Sequence, residues 1–426
     1  MNVKTIKSLC GMLAMLAFTA CSSNIDESAD APRFYNVTLT ASMGDADTRA
    51  LSESGNVITA TFAENDEVKV VKADGSLVGT LRAKTAGANT TLTGTITGEF
   101  SVNEVLTLRY RSATANYDGQ VGTLAGIAAG QDYAEGTLTV STTSPLAFTS
   151  NSVTLDAKQS ITKFSFKDVS NNADVSVKTF GIAAVGLVYS IATDATETMG
   201  AVTGTLASAS SDVYVALRTS SSLQAYSFTV KDNDGNWYTA TKNAKLTNGK
   251  NYAATVKLTK WIDKSSNLTK DSNVGDIGLL GGLPAIVVTI SETKKAVALM
   301  NVGALCPEAY GTYYIFNDQA SGLPNGWYVP TRDELTALIS SAVWDTQNGV
   351  NGRSRTIGGN TLFLPAGGFK DNDNDLYNVT TFGYYWSSEI YNTERAYSYQ
   401  FSASVNSTNS SEKADTLPVR PFHALN

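Results

Sequence analysis

Three aspartates stand at alternate positions in one short stretch, Asp371-Asn372-Asp373-Asn374-Asp375. Alternating carboxylate and amide oxygens suit Ca²⁺, because this hard cation takes about 6–8 oxygen ligands. An EF-hand loop beginning at Asp371 would need glycine at its sixth place, which is Leu376, and glutamate at its twelfth, which is Phe382. Asp371, Asp373 and Asp375 are therefore a weak calcium candidate, with a solvated acidic loop as the alternative. No other metal and no cofactor is expected.

Histidine and cysteine offer little further chemistry. The chain has 1 His and 3 Cys, so triads that use histidine and sites with several histidine ligands are excluded. We expect the Cys306 side chain to be buried rather than reactive. No spacing marks a nucleophile beside its base, so the chain is not predicted to be an enzyme.

The composition indicates β-structure and excludes some partners. The 426 residues include 42 Ser and 51 Thr, and only 17% are charged. Threonine packs well in strands, and domains usually have roughly 100–200 residues, so we expect several strand-rich domains. A net charge of -7 and a pI near 5.0 argue against nucleic acid and against an anionic membrane face as partners.

The N-terminus reads as a secretory signal over residues 1–20. Lys4 and Lys7 precede an apolar stretch, residues 9–20, which is shorter than the roughly 20 residues that a bilayer-spanning helix needs. Small residues just before Cys21 resemble a bacterial lipobox, in which that cysteine becomes lipidated. This predicts a surface-exposed lipoprotein of the outer membrane, held by a lipid on Cys21. Ordinary signal cleavage with an incidental cysteine is the alternative.

Strict alternation of apolar and polar residues recurs after the signal. Val37, Leu39, Ala41 and Met43 alternate with polar residues, and the ranges 226–230 and 251–258 repeat the pattern. A period of two indicates strands with one buried face, and Asp-Gly or Asn-Gly turns separate several of them. The fold class predicted is mainly β. Its expected order is given by the following ranges: leader and first strand 21–49, β-sandwich 50–150, second β-sandwich 151–262, linker 263–277 and C-terminal domain 278–426.

Five motifs follow one another over the first 260 residues: Thr48–Ala50, Tyr117–Leu124, Gln159–Phe164, Val213–Arg218 and Leu246–Tyr252. In this order and spacing they resemble the fimbrillin-like proteins, the subunits of type V pili. The resemblance covers about residues 34–260 and implies two transthyretin-like β-sandwiches. It also implies a lipoprotein that is trimmed by an arginine-specific protease.

The same resemblance gives the first strand a role. In that family, trimming releases the strand, and a strand from the next subunit fills the exposed groove. Cleavage is expected between Arg49 and Ala50, because Arg49 follows the alternating residues 36–43. Cleavage after Arg33 would leave the strand in place. The alternative is that Arg49 is an ordinary loop residue of a strand that never leaves.

The last third of the chain carries different motifs. Trp327-x-x-Pro330-Thr331-x-x-Glu334-Leu335 has capping-box spacing and opens a predicted helix, whose apolar face includes Leu338 and Ile339. Further on come 362–368, 383–388 and 417–422. Together they resemble a bacterial α+β domain of the C-type-lectin-like fold, also called major-paralogous or FISUMP-like, over residues 278–426.

The second resemblance implies a fold but does not identify a ligand. The lectin family's calcium triplets are absent, since Ser387-Ser388 follow Trp386. Formylglycine-generating enzymes share the fold but work through paired thiols. Trp327, Trp386 and Pro365 are expected in the core, and Arg420 in a buried or half-buried ion pair. Six tyrosines, of which half or more should be buried, are candidates for stacking on sugars or anchoring a protein: Tyr377, Tyr384, Tyr385, Tyr391, Tyr397 and Tyr399.

The sequence therefore predicts a lipoprotein subunit of a type V pilus. Its partners would be other pilus subunits joined by strand exchange, and its C-terminal domain would bind a glycan or a host protein. A C-terminal lectin-like domain in place of a donor strand places the subunit at the tip or in an accessory position. Two alternatives stay open: a monomeric surface lipoprotein with the same ligands, and an enzyme built on the lectin-like domain.

Overall fold

The computed structural model describes residues 33–43, 52–54, 57–59 and 61–425. Cys21, Arg49 and Ala50 lie outside these ranges, so their roles stay predictions. The described chain is mainly β, as predicted, with two short α-helices and one 3-10 turn. No helix in the described ranges is long and apolar enough to cross a membrane.

The first unit is built on a sheet that closes on itself. The elements up to residue 157 are β1 (Phe34–Met43), β2 (Ser52–Ser54), β3 (Val57–Thr59), β4 (Glu67–Val71), β5 (Leu77–Ala83), β6 (Asn89–Thr97), β7 (Val105–Tyr110), β8 (Ala115–Asn116), α1 (Leu124–Gly130), β9 (Ala134–Thr143), β10 (Leu146–Phe148) and β11 (Ser152–Ala157). The sheet order is β10-β9-β11-β1-β6-β5-β4-β7, and β9 also pairs with β7. Because β9 contacts both β7 and β11, seven strands form a ring around one core.

The second unit has a seven-stranded sheet and a smaller one. Its strands are β12 (Ser160–Asp168), β13 (Val177–Ala183), β14 (Val188–Ile191), β15 (Glu197–Met199), β16 (Val202–Ser210), β17 (Asp212–Leu217), β18 (Leu223–Asp232), β19 (Trp237–Lys245) and β20 (Asn251–Ile262). The large sheet has the order β16-β13-β18-β19-β20-β12-β17, and the small one the order β15-β14-β8. Strand β8 comes from the segment that the sequence assigned to the first sandwich.

That segment belongs to the second unit by its packing. Ala115, Tyr117, Ile127 and Tyr133 are all buried in the core formed by the strands of the second unit. The segment includes α1, a helix that the alternation did not reveal. Thr123 caps it, because its hydroxyl accepts a hydrogen bond from the Gly126 N–H at 3.1 Å. The chain therefore enters the second unit between β7 and β9, returns to the first unit for β9, β10 and β11, and enters the second unit again after residue 157.

The C-terminal unit combines several small sheets with one helix. Its elements are β21 (Ile277–Leu280), β22 (Leu283–Ile290), β23 (Thr293–Ala298), β24 (Tyr314–Ile315), the 3-10 turn Phe316–Asp318, β25 (Trp327–Tyr328), α2 (Arg332–Ile339), β26 (Val343–Gln347), β27 (Val350–Ile357), β28 (Asn360–Pro365), β29 (Phe369–Lys370), β30 (Leu376–Tyr377), β31 (Gly383–Ile390), β32 (Arg395–Phe401), β33 (Asn406–Glu412), β34 (Thr416–Leu417) and β35 (Phe422–Ala424). The main sheet has the order β21-β22-β23-β35-β25. The predicted helix is confirmed, with its capping box between Thr331 and Glu334.

The stretch predicted as a linker is ordered against this unit. Leu268 is buried, and its N–H donates to the Leu279 carbonyl at 2.8 Å. The Leu279 N–H donates in return to Ser266 at 2.7 Å. Trp237 and Ile262 of the second unit also lie in a core shared with the C-terminal unit. The two units are therefore packed together rather than joined by a free tether.

Candidate functional site

Strand β1 is one of the seven strands of the first unit's ring, between β11 and β6. It pairs antiparallel with β6 from Phe34↔Thr97 to Ser42↔Asn89. On its other edge it pairs parallel with β11 from Thr40↔Ser152 to Met43↔Leu155. Removing β1 would leave two strand edges with unpaired backbone groups, which is the arrangement that an incoming strand can complete.

The inward face of β1 is apolar, as the alternation predicted. Val37, Leu39 and Ala41 are buried in the core of the first unit, and the residues between them are exposed. Burial of a side chain as large as Leu or Val contributes about 1.5–3 kcal/mol. The groove under β1 is therefore hydrophobic, and it is matched to a strand with the same alternation.

The polar contacts of β1 are mostly backbone contacts. The Thr40 N–H donates to Asn151 at 2.9 Å, and the Met43 N–H donates to Ala88 at 3.0 Å. Strand β1 contains no Asp, Glu, Lys, Arg or His, so none of its side chains can form an ion pair. Because a backbone ladder and small apolar side chains hold it, another alternating strand could take its place.

The two arginines that flank β1 differ in position. Arg33 is exposed and directly precedes the strand. Arg49 lies outside the described residues, in the stretch of chain between the end of β1 at Met43 and the start of β2 at Ser52. Only cleavage at the second position would separate β1 from the rest of the chain.

Three of the motifs that carry the fimbrillin resemblance have structural roles in the second unit. The buried Gln159 accepts a hydrogen bond from the Tyr133 N–H at 3.2 Å and one from the Tyr117 hydroxyl at 3.3 Å. Burial raises the pKa of Tyr117, so its hydroxyl stays protonated and can donate. The Asn248 side chain contacts the Thr219 backbone through its Nδ2, at 3.3 Å. These residues position strands and are not a reactive site.

The acidic loop closes on itself. The Asp371 carboxylate accepts hydrogen bonds from the N–H groups of Asp373 and Asp375, both at 3.0 Å. The negative charge of Asp371 also raises the pKa of Tyr377. Among the described residues, no group of three His, Cys, Asp or Glu side chains is placed to hold a metal ion. The calcium hypothesis thus gains no support from the geometry.

The predicted core residues of the C-terminal unit are buried, but one predicted contact is wrong. Trp327, Trp386 and Pro365 are buried. Arg420 is also fully buried, yet it forms no ion pair with any described residue. Instead its guanidinium donates to two carbonyls, those of Ala298 at 3.0 Å and Phe363 at 2.9 Å. Backbone oxygens stabilise this charge where a carboxylate was expected.

The six tyrosines divide by burial. Tyr385 and Tyr399 are buried and Tyr384 and Tyr397 are half-buried, as expected of strand residues. Only Tyr377 and Tyr391 are largely exposed, at 43% and 54%. Among the six tyrosines, these two therefore keep the most solvent-exposed ring surface.

Cys306 is buried and unpaired, as predicted. Burial raises the pKa of its thiol well above the usual range, so the reactive thiolate is disfavoured. The side chain packs with Ala183 and Ala201 of the second unit. Its role is therefore packing between the second and C-terminal units.

Comparisons with known proteins give partial matches. A family model described as a domain of unknown function (DUF8237) matches residues 342–422. No curated protein matches the chain significantly.

Solved structures overlap with about half of the chain. A candidate cell adhesion protein from Bacteroides uniformis is 15% identical, with a TM-score of 0.32, over 53% of this chain and 96% of its own. A fimbrial assembly protein from Parabacteroides distasonis is 11% identical, with a TM-score of 0.27, over 62% and 95%. A shaft pilin from Lactobacillus rhamnosus is 12% identical, with a TM-score of 0.25, over 54% and 98%. Scores this low do not establish a shared fold.

Proposed function

We propose that the protein is a lipoprotein subunit of a type V pilus that assembles by protease-activated strand exchange. Strand β1 is the observation that carries the proposal, because it is a charge-free strand that completes a closed ring between β11 and β6. Arg49 follows it in the chain at the position where one cut would make it a separate peptide. The lipid on Cys21 would hold the subunit at the outer membrane before assembly.

We expect strand exchange at this site to be close to neutral in free energy. The ring offers β6 and β11 as pairing partners, and their backbone groups do not discriminate between strands. An alternating strand of similar length would restore the ladder and refill the pockets of Val37, Leu39 and Ala41. Cleavage makes the exchange proceed in one direction. Once the β1 peptide is no longer tethered to the chain, it is diluted when it leaves and does not readily return.

The C-terminal unit is expected to be the adhesive part, in a tip or accessory subunit. Its strand β35 lies inside the main sheet between β23 and β25, so it is not free to be donated to another subunit. The groove left by β1 would accept a strand from another subunit, whereas this subunit would donate none. It would therefore stand at the end of a row of subunits, with the C-terminal unit presented outward.

The test is cleavage followed by strand capture. The chain from Ser22 onward is treated with an arginine-specific protease, its new N-terminus is sequenced, and a labelled peptide of residues 34–43 is added. We expect a start at Ala50 and capture of the peptide only after cleavage. The variant Arg49→Ala should neither be cut there nor capture the peptide, whereas Arg33→Ala should do both. An Arg49→Ala chain that assembles into pili with normal N-terminal processing would refute the proposal.

A monomeric surface lipoprotein is the second candidate, and the closed ring favours it. Both edges of β1 are already paired, so the uncut chain presents no open groove. In this case the mature surface form would keep β1, and its N-terminus would be Cys21. N-terminal sequencing of the protein from the cell surface decides between the two.

A further inference from the structure

A polar cleft lies where the second unit meets the C-terminal unit. Its volume is about 830 Å³, within the range of about 300–1,000 Å³ that holds most small ligands. One wall comes from β8, β14, the turn 192–196 and β15 of the second unit. The other wall comes from residues 311–313 and from 370–377, which include the acidic loop. Strand exchange does not use this cleft.

The two walls are held in a fixed relation. The Tyr310 hydroxyl of the C-terminal unit donates to the Met199 carbonyl of the second unit at 2.8 Å. The rings of Tyr310 and Tyr189 meet edge to face, with centroids 5.9 Å apart. Cys306 packs so closely on Gly181 that a Cβ there would lie 2.5 Å from the Cys306 Cβ. The cleft is therefore preformed, which lowers the cost of ordering on binding.

The lining suits a ligand rich in hydroxyls. Asn116, Thr196, Thr312 and Asn374 line the cleft, and all four are exposed. Hydroxyl and amide groups both donate and accept hydrogen bonds, as sugar hydroxyls do. Asp194 and Asp375 add exposed carboxylates, one on each wall, which accept strong hydrogen bonds from hydroxyls.

Tyr377 provides a flat surface at the edge of the cleft. One face of its ring stacks on Phe369, with centroids 5.6 Å apart and planes 27° apart. The side chain is still 43% exposed, so ring surface remains available to a ligand. The negative face of an aromatic ring attracts the polarised C–H groups of a pyranose.

The charge of the cleft selects among sugars. Its lining contains Asp194 and Asp375 but only one cation, Lys370. The Lys370 ammonium is already placed over the Tyr313 ring, 5.5 Å from its centroid, and 3.3 Å from the Asn374 oxygen. The net negative charge of the cleft would repel a sialylated or sulfated glycan, whereas it would not repel a neutral one.

We propose that this cleft binds a short neutral oligosaccharide, with one pyranose on Tyr377 and neighbouring hydroxyls bonded to Asp194 and Asp375. The inference rests on the adhesive part of the proposed function and names its ligand class. It requires both units, so neither wall is sufficient alone.

The test uses the whole mature chain on an immobilised panel. The panel holds neutral oligosaccharides that end in mannose, galactose or N-acetylglucosamine, each beside its sialylated or sulfated counterpart. We expect at least one neutral glycan to bind, and its anionic counterpart to bind at least tenfold more weakly. Calorimetry with that glycan should show at least tenfold weaker binding by Tyr377→Ala and less than threefold by Tyr377→Phe, which keeps the ring. Asp194→Asn on the opposite wall should weaken binding severalfold.

The matched control is Tyr391→Ala, which removes an exposed tyrosine of the same unit outside the cleft and should leave affinity unchanged. The proposal is overturned if no neutral glycan binds, if the anionic counterparts bind better, or if Tyr377→Ala binds like the wild type. A chain that captures strands after cleavage but binds no glycan would overturn only the cleft. A chain that binds the glycan but is never cut would overturn only strand exchange.

Discussion

The side-chain amide of Gln120 pairs with the backbone of Ala216 in both directions. The Ala216 N–H donates to Gln120 Oε1 at 2.9 Å, and Gln120 Nε2 donates to the Ala216 carbonyl at 2.8 Å. The Gln120 backbone meanwhile pairs with β16, accepting from the Thr205 N–H and donating to Thr203, both at 2.9 Å. One residue therefore bridges β16 and β17, the two edge strands of the second unit's large sheet.

Replacing Gln120 should destabilise the second unit. Gln120→Ala would leave the N–H and the carbonyl of Ala216 buried without these partners, at a cost of about 1–3 kcal/mol for each group. We expect the free energy of unfolding of this unit to fall by about 2–6 kcal/mol in urea titrations. Gln224→Ala is the control, because that amide bonds only to exposed serine hydroxyls. Equal midpoints for the two variants would contradict the bridging role.

The inward face of β1 should set how long the strand stays in place. Leu39→Ala removes a buried side chain, and such changes cost about 2–5 kcal/mol. We therefore expect a less stable first unit and faster loss of the β1 peptide after cleavage, followed by mass spectrometry of the released fragment. Thr38→Ala, on the exposed face of the same strand, should change neither quantity appreciably. Release at the wild-type rate from the Leu39→Ala chain would show that the apolar face does not hold β1.

Local patterns predicted local structure well. Alternation identified β1, β18 and β20, and the capping-box spacing of Thr331 and Glu334 located the start of α2. The Asp74-Gly75 turn also formed, with Gly75 at a φ of 88° that other residues rarely adopt. Helix α1 was missed because it is only seven residues long and has a single fully buried residue, Ile127.

Long-range relations could not be read in the same way. Ring closure depends on β9 pairing with β7 and β11, and periodicity does not specify strand partners. The groove of β1 was predictable because one alternating strand defines it. The cleft beside Tyr377 was not, because its walls come from segments about 200 residues apart that meet only when the units pack. Arg420 was predicted to be buried, but its carbonyl partners lie in two other strands.

Because of the capping box of α2, the stability of the fold should decrease as the pH becomes acidic. Burial by itself raises the pKa of Glu334. Hydrogen bonds from Lys295, Tyr328 and the Thr331 N–H lower this pKa by a larger amount, so the net shift is downward. A carboxyl with a lowered folded-state pKa stabilises the fold above its unfolded-state pKa, and this contribution is lost as the pH falls through the folded-state value.

We therefore expect Glu334→Gln to cost about 1–3 kcal/mol at neutral pH and to flatten the loss of stability at acidic pH. Urea titrations between about pH 7 and pH 3 would measure both effects. Asp333→Asn, at an exposed position in the same turn, is the control and should follow the wild-type profile. Parallel profiles for Glu334→Gln and the wild type would contradict the assignment.

Arg420 should be required for the assembly of the C-terminal unit. Its two terminal nitrogens join the carbonyl of Ala298, at the end of β23, to that of Phe363 in β28, so one guanidinium links two sheets. Arg420→Ala would leave both carbonyls without this donor and open a cavity, and we expect a loss of about 3–5 kcal/mol.

The variant Arg420→Lys distinguishes the contribution of the positive charge from that of the planar guanidinium group. A lysine keeps the positive charge but presents a single nitrogen instead of the planar fork that reaches both carbonyls. We expect it to recover only part of the lost stability in urea titrations of the whole chain. Arg332→Ala is the control, because its ion pairs are exposed and such pairs contribute about 0–1 kcal/mol. An Arg420→Lys chain as stable as the wild type would show that the buried charge alone matters and that the link between the two sheets does not.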